Sequence, residues 1–277
     1  MATIPARNKK AFAQSLATPH IFQESTAAAN VKILSSDFDI PQLQRKRRIW
    51  VYLPVDYDKS KVRYPVLYMQ DGQNLFDAKT SYAGEWKVDE TLNALAANKK
   101  RACIVIGIDN GSEKRMTEYA PWDHPRFGKQ EGVAYTKFMV ETLKPYIDQN
   151  FRTLKGPEST AVIGSSMGGL IAFYAALEYP QVFGRAGVFS PSFWHSEAAF
   201  LLAKTKGPQA KKLKIYMFTG GLEGKTEMVE PLQRMTKVLK EAGFSSKRLY
   251  TALPADGQHN EAFWSREFAG AYSWLFP

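Results

Sequence analysis

A single cysteine, Cys103, among 277 residues excludes an internal disulfide, so a packed core must carry the fold. Its setting, Ala102-Cys103-Ile104-Val105-Ile106, makes it a buried strand residue rather than a thiolate nucleophile. No run approaches the ~18 apolar residues of a membrane-spanning helix. The chain has no G-x-x-x-x-G-K phosphate loop, no dinucleotide fingerprint and no side chains at metal-ligand spacing, so neither a metal nor another cofactor is expected. Neither an internal repeat nor a Pro/Gly/Ser-rich linker divides it. Histidine is scarce: His20, His124, His195 and His259 are the four available to act as a general base.

Aromatic and apolar residues are plentiful. Hydrophobic residues make up 44% of the chain, with 17 Phe, 13 Tyr and 6 Trp, which reads as globular. A chain of this length buries roughly three quarters of its unfolded surface. The 37 Lys and Arg exceed the 27 acidic residues by ten, in scattered groups such as Arg45-Lys46-Arg47-Arg48, Lys99-Lys100-Arg101 and Lys247-Arg248. Without interleaved aromatics these describe a solvated basic surface rather than a nucleic-acid groove, although they could attract an anionic small substrate. Residues 1–30, rich in Ala, Ser and Thr and aperiodic, are expected to form a poorly ordered arm before a single domain over 31–277. Ala11-Phe12-Ala13 resembles a leader-peptidase site but lacks the apolar segment before it. The sequence as given therefore reads as cytoplasmic, or as periplasmic or secreted if a leader has been removed.

Within 31–277, strands alternate with helices. Strands are expected at Val31–Ser35, Arg47–Pro54, Tyr64–Met69, Cys103–Ile108, Ser159–Gly164, Ala186–Ser190, Lys214–Thr219 and Lys247–Leu253. The first two read as antiparallel, with the basic alternation of the second suiting a half-exposed edge. Helices are expected around 87–97, 133–149, 168–177, from about 197, at 228–242 and at 262–276. This pattern predicts an α/β fold, a three-layer sandwich with helices on both faces of a mostly parallel sheet. The polar and aromatic stretch Asp109–Gln130 is the longest loop, and long loops in compact domains are commonly functional.

Gly164-Ser165-Ser166-Met167-Gly168 places G-x-S-x-G between an apolar strand and a helix-forming run, the context of a nucleophile elbow. A serine hydroxyl needs an imidazole to take its proton and an acid to hold that imidazole. His259 follows the last expected strand, where the order serine, acid, histidine places the base; Glu223 lies in a glycine-bounded turn after Lys214–Thr219, with Asp256, Glu227 and Glu230 as alternatives. Two backbone N–H groups must face the developing oxyanion, and Met167 and Gln73 occupy the corresponding positions, Gly72 letting the loop approach closely. Trp86, Arg115, Tyr119, Trp122 and Trp194 are candidate cleft residues.

The chain resembles the esterase D/Fes/IroE-like group of α/β-hydrolases, which includes enterochelin esterases, feruloyl and acetylxylan esterases and mycolyltransferases. The resemblance runs from about Arg47 to the C-terminus. It rests on Tyr68-Met69-Gln70-Asp71-Gly72-Gln73-Asn74-Leu75-Phe76-Asp77, Ile163-Gly164-Ser165-Ser166-Met167-Gly168-Gly169, Ser190-Pro191-Ser192-Phe193-Trp194 and Asp256-Gly257-Gln258-His259. It implies an α/β-hydrolase fold with Ser166 as nucleophile, His259 as base, Glu223 as acid, and Met167 and Gln73 as oxyanion donors. The family commonly has aspartate where Glu223 falls. A serine carboxylic-ester hydrolase is expected, acting on a siderophore-type or acylated carbohydrate ester, with the positive charge tilting toward an anionic catecholate; an acyltransferase or a catalytically silent binding protein are the alternatives.

Overall fold

The computed structural model describes residues 24–98 and 102–277; the readings at Ala11–Ala13, His20 and Lys99–Arg101 lie outside them. Eight strands form one sheet: β1 Val31–Ile40, β2 Arg45–Tyr52, β3 Val66–Gln70, β4 Ile104–Ile108, β5 Thr160–Ser165, β6 Arg185–Phe189, β7 Lys214–Phe218 and β8 Leu249–Ala252. Their order across the sheet is β1-β2-β4-β3-β5-β6-β7-β8. β1 pairs with β2 and β2 with β4 antiparallel, and every later pairing is parallel.

The helices in chain order are α1 Val88–Ala97, α2 Arg115–Glu118, α3 Gly132–Phe138, α4 Lys144–Asn150, α5 Met167–Glu178, α6 Ala198–Lys206, α7 Glu230–Glu241 and α8 Glu261–Leu275. A π turn over Met139–Leu143 joins α3 to α4. Alternation along the inner strands sends side chains into two cores. Tyr68, Ile106, Val162 and Met217 pack with α3 to α7, while Leu67, Met69, Ile163 and Phe218 pack with α1 and α8. Every residue of β3, β4 and β5 is buried, which is why these strands read as unbroken apolar runs.

The parallel strands all end at one edge, and the loops after β3, β5, β7 and β8 meet there. Two neighbouring loops are hydrogen-bonded together: Gly221 N–H donates to the Pro254 carbonyl (2.7 Å) and Leu222 N–H to that of Gly257 (3.0 Å). A Cβ at Gly220 would lie 2.3 Å from the Gly257 backbone, so glycine is what permits the approach.

The structure departs from the sequence expectations in four places. β1 runs on to Ile40 because its polar second half is held by pairing with Arg45, Lys46 and Arg47. β2 is no edge strand: it lies between β1 and β4, and the buried Arg47 guanidinium donates to Glu118 (2.8 Å), itself fully buried and also bound by Arg45 (2.9 Å). Arg45 and Arg47 thus belong to a largely internal ion-pair network, while Lys46 between them is exposed. The segment 109–130 contains α2, which this network fixes in place. Of the expected arm, residues 24–30 are held by hydrogen bonds, including Ser25 Oγ to Asp77 Oδ2 (2.7 Å) and Ala28 N–H to Asp89 Oδ2 (2.7 Å).

Candidate active site

Ser166 stands between β5 and α5 with φ 58° and ψ −123°, a conformation an L-residue adopts only when its surroundings impose it. The surroundings are visible. Its N–H donates to the Phe189 carbonyl (2.9 Å), and its carbonyl accepts from the N–H groups of Leu170 and Ser192, both at 3.1 Å. A Cβ at Gly164 would come within 2.3 Å of the Gly168 carbonyl oxygen, so glycine is required there. At Gly168 the nearest neighbours are the Asp71 carboxylate and the Gln70 side chain, at 3.1 and 3.2 Å, a milder constraint. Met167 is the first residue of α5, so its N–H is among those the helix cannot pair internally.

The β7 and β8 loops bring Glu223 to His259. Glu223 Oε2 lies 2.7 Å from His259 Nδ1, and the Glu223 side chain is fully buried while His259 is 38% exposed. Glu223 Oε1 accepts from the Gly220 N–H (2.7 Å) and the Ser190 hydroxyl (2.6 Å). The other carboxylates considered are engaged elsewhere: Asp256 pairs with Arg266 (2.6 Å), Glu230 reaches Lys225 at 3.8 Å, and Glu227 accepts from Thr226 (2.8 Å). Asn260 rather than His259 caps α8, its Oδ1 accepting from Phe263 N–H (2.9 Å). His259 is therefore free of a capping role.

The loop after β3 is held against β4. Asp71 is left-handed (φ 56°), and a Cβ on Gly72 would lie 2.8 Å from the backbone of Gly107 and Ile108. The Asp71 carboxylate is gripped by a two-pronged Arg115 contact (2.7 and 2.9 Å) and by Asn110 Nδ2 (2.7 Å), and Asp71 N–H donates to Tyr119 Oη (3.2 Å). Gln73 is fixed in turn, its Oε1 accepting from Asn110 N–H (3.1 Å) and its carbonyl from Thr80 (2.8 Å). A loop so braced can hold an N–H in a constant direction.

Ser166, His259 and Gln73 line one cavity of about 760 Å³. Of the five expected cleft side chains only Arg115 is among its walls. Trp86 is buried and stacked on Phe189 (5.4 Å, 9°), Tyr119 is fully buried beneath Asp71, and Trp122 packs edge-on against Tyr174 (5.6 Å). Trp194 is 45% exposed, but its ring lies beside His195 and not on this cavity. Large rings in polar loops contribute most by returning to the core, which is what three of these do. The sequence reading missed Trp264, Tyr82, Arg48 and Asp109, all on the cavity wall. Trp264 sits one turn into α8, directly after the His259 loop, and that position was its one signal; its ring meets His259 edge-on at 5.0 Å.

His124 and His195 do not join the cavity. They face each other at 4.7 Å, and burial holds the His195 imidazole down at about 4, with neither ring nitrogen hydrogen-bonded. Among the described residues one acidic trio, Glu85, Asp89 and Glu90, brings ligand atoms within 4.8 Å of one another at the start of α1, away from the cavity walls. Burial raises the Asp89 carboxyl to about 7.

The sequence profile of the Esterase family matches residues 40–275. The uncharacterized protein YbbA of Bacillus subtilis is 28% identical over 242 residues, covering 83% of this chain and 92% of YbbA. An iron(III) enterobactin esterase of Dickeya dadantii is 27% identical over 266 residues, covering 90% of this chain, which spans 55% of that protein. Among solved structures a ferulic acid esterase superposes with a TM-score of 0.71 at 16% identity, over 89% of this chain and 98% of its own. The chain belongs to the Esterase family and is an esterase on the α/β-hydrolase fold.

Proposed function

We propose that this esterase is a serine carboxylic-ester hydrolase working through an acyl-enzyme, with Ser166 as nucleophile, His259 as base and Glu223 as acid. The observation that carries the reading is the 2.7 Å contact between Glu223 Oε2 and His259 Nδ1, made where His259 and Ser166 share a cavity. Nδ1–H donates to the carboxylate, leaving Nε2 as the acceptor for the serine proton. Ser166 Oγ attacks the ester carbonyl as Nε2 takes its proton, and the oxyanion is met by the N–H groups of Met167 and Gln73. The alcohol leaves with that proton. Water then repeats the sequence on the acyl-serine and releases the acid.

The cavity charge bears on which ester enters. Arg48 is paired with Asp109 (2.7 Å) and Arg115 with Asp71, and Glu261 adds a third carboxylate to the wall. Among the described residues, the walls around Ser166 therefore carry no excess of positive charge. This departs from the tilt toward an anionic catecholate that net charge alone suggests. Compensated ion pairs, amides, Tyr82 and Trp264 offer hydrogen bonds and ring faces without a net attraction for anions, which favours a neutral polyhydroxylated ester such as an acylated carbohydrate.

Hydrolysis of p-nitrophenyl acetate and butyrate by the wild type and Ser166→Ala tests the chemistry; turnover in the wild type and its loss in the variant are expected, and equal activity of the two would refute it. Parallel assays on acetylated or feruloylated oligosaccharides and on a ferric catecholate trilactone test the substrate class. Preference for the trilactone would overturn the carbohydrate assignment.

A further inference from the structure

Beyond the three residues of the charge chain, the end of β6 carries a hydroxyl that none of the steps above uses. Ser190 is fully buried, and its backbone is left-handed with φ 41°, a conformation that serine tolerates poorly. Its N–H donates to the Phe218 carbonyl (2.7 Å), pinning the end of β6 to the end of β7 just before the Glu223 turn. Its Oγ makes two contacts, with Trp264 Nε1 at 2.8 Å and with Glu223 Oε1 at 2.6 Å.

The chemistry of the partners assigns the direction of both bonds. An indole N–H can only donate, so Ser190 Oγ accepts from Trp264. The single hydroxyl proton is then left for the Glu223 carboxylate, which can only accept when ionised. Oε1 is thereby supplied by Ser190 and by the Gly220 N–H, and Oε2 is left for His259. A glutamate has one more rotatable bond than an aspartate, and a longer side chain needs more to hold it still. Trp264 closes the arrangement by meeting the His259 ring edge-on.

We propose that Ser190 and Trp264 form a positioning relay, indole N–H to serine hydroxyl to Glu223 Oε1, that fixes the acid so that its other oxygen meets His259. The proposal rests on Glu223 being the orienting acid. Neither residue is assigned a covalent step. Ser190 acts on the reaction only through Glu223, and its removal is expected to slow acylation without weakening ester binding.

The test is a double-mutant cycle on p-nitrophenyl acetate hydrolysis with Ser190→Gly and Glu223→Gln. Glycine accepts the positive φ at position 190, so the backbone is kept while the hydroxyl is lost. Ser190→Gly is expected to lower kcat by about 10- to 100-fold, the loss expected for a buried hydrogen bond to a charged group, with KM within about twofold. Reaction with a fluorophosphonate at Ser166 should slow in parallel. In the Glu223→Gln background the same change should add less than about twofold, because both act through one group. Trp264→Phe, which keeps a ring but removes the donor, should reproduce part of the kcat loss.

An unchanged kcat in Ser190→Gly, or a loss that simply multiplies with that of Glu223→Gln, would overturn the relay while leaving Glu223 as the acid. Near wild-type activity in Glu223→Gln alone would instead remove the acid assignment, and the relay with it. Melting temperatures of the four proteins of the cycle and of Trp264→Phe separate these outcomes from loss of fold.

Discussion

At the scale of single residues, backbone geometry does as much as side-chain chemistry. Ser166, Ser190 and Asp71 all have positive φ without being glycine, and all three border the site. Conformations of this kind cost about 1–3 kcal/mol each and persist only where the surroundings enforce them. Gly72 shows the complementary constraint, with its missing Cβ leaving the β3 loop against β4. Gly72→Ala should push Gln73 out of line and lower kcat by about 10²- to 10³-fold, as loss of one oxyanion donor does, while far-ultraviolet circular dichroism stays unchanged. A loss confined to KM would instead show that Gln73 N–H does not meet the oxyanion. That Ser166, His259 and Glu223 would be brought together was legible because chain order and strand ends constrain their positions strongly. The aromatic candidates were not: Trp86 and Tyr119 have the composition of a cleft and the burial of a core, and residue type does not separate the two.

At the scale of elements, the inner strands were legible for the reason that they are buried on both faces, and β1 was read short because strand pairing, not hydrophobicity, holds its second half. α2 was hidden inside a polar stretch since its stability comes from the Glu118 contacts with Arg47 and Arg45, partners more than seventy residues away. The His124 to Gly128 turn packs against the Phe193–His195 turn through the two histidine rings and Phe127, which stacks on His195 at 5.8 Å and 13°. His195 has a folded value near 4, below its ordinary 6.5, so the folded state resists protonation more than the unfolded chain does. Its contribution to stability is complete above pH 6.5 and is lost as pH falls through 4. His195→Phe keeps a ring in that stack and removes the titration. Thermal melts between pH 7 and 4.5 should show the wild type losing several degrees more than the variant; equal losses would mean that His195 is not held neutral.

At the scale of the whole molecule, the net charge of the sequence and the charge at the cavity differ. The sequence has an excess of ten positive charges, but at the cavity two arginines face three carboxylates. Steering by a focused field raises association rates by about 10–10³ and fades with salt. For this enzyme, kcat/KM on an anionic aryl ester should change by less than about threefold between low and high ionic strength. A steep fall with salt would restore the anionic-substrate reading. The fold instead brings the ends of β3, β5, β7 and β8 to one edge, so that residues from Gln73 to His259 share a cavity.

Ser166, and not its neighbour Ser165, is the proposed nucleophile. Ser165 is the last residue of β5 and is buried, whereas Ser166 occupies the strained turn. Labelling with a fluorophosphonate followed by peptide mass spectrometry tests this directly. One phosphonyl group per chain is expected, on Ser166, with none on Ser166→Ala and an accompanying loss of esterase activity of at least about 10³-fold. A label on Ser165 or elsewhere, or an active Ser166→Ala enzyme, would contradict it.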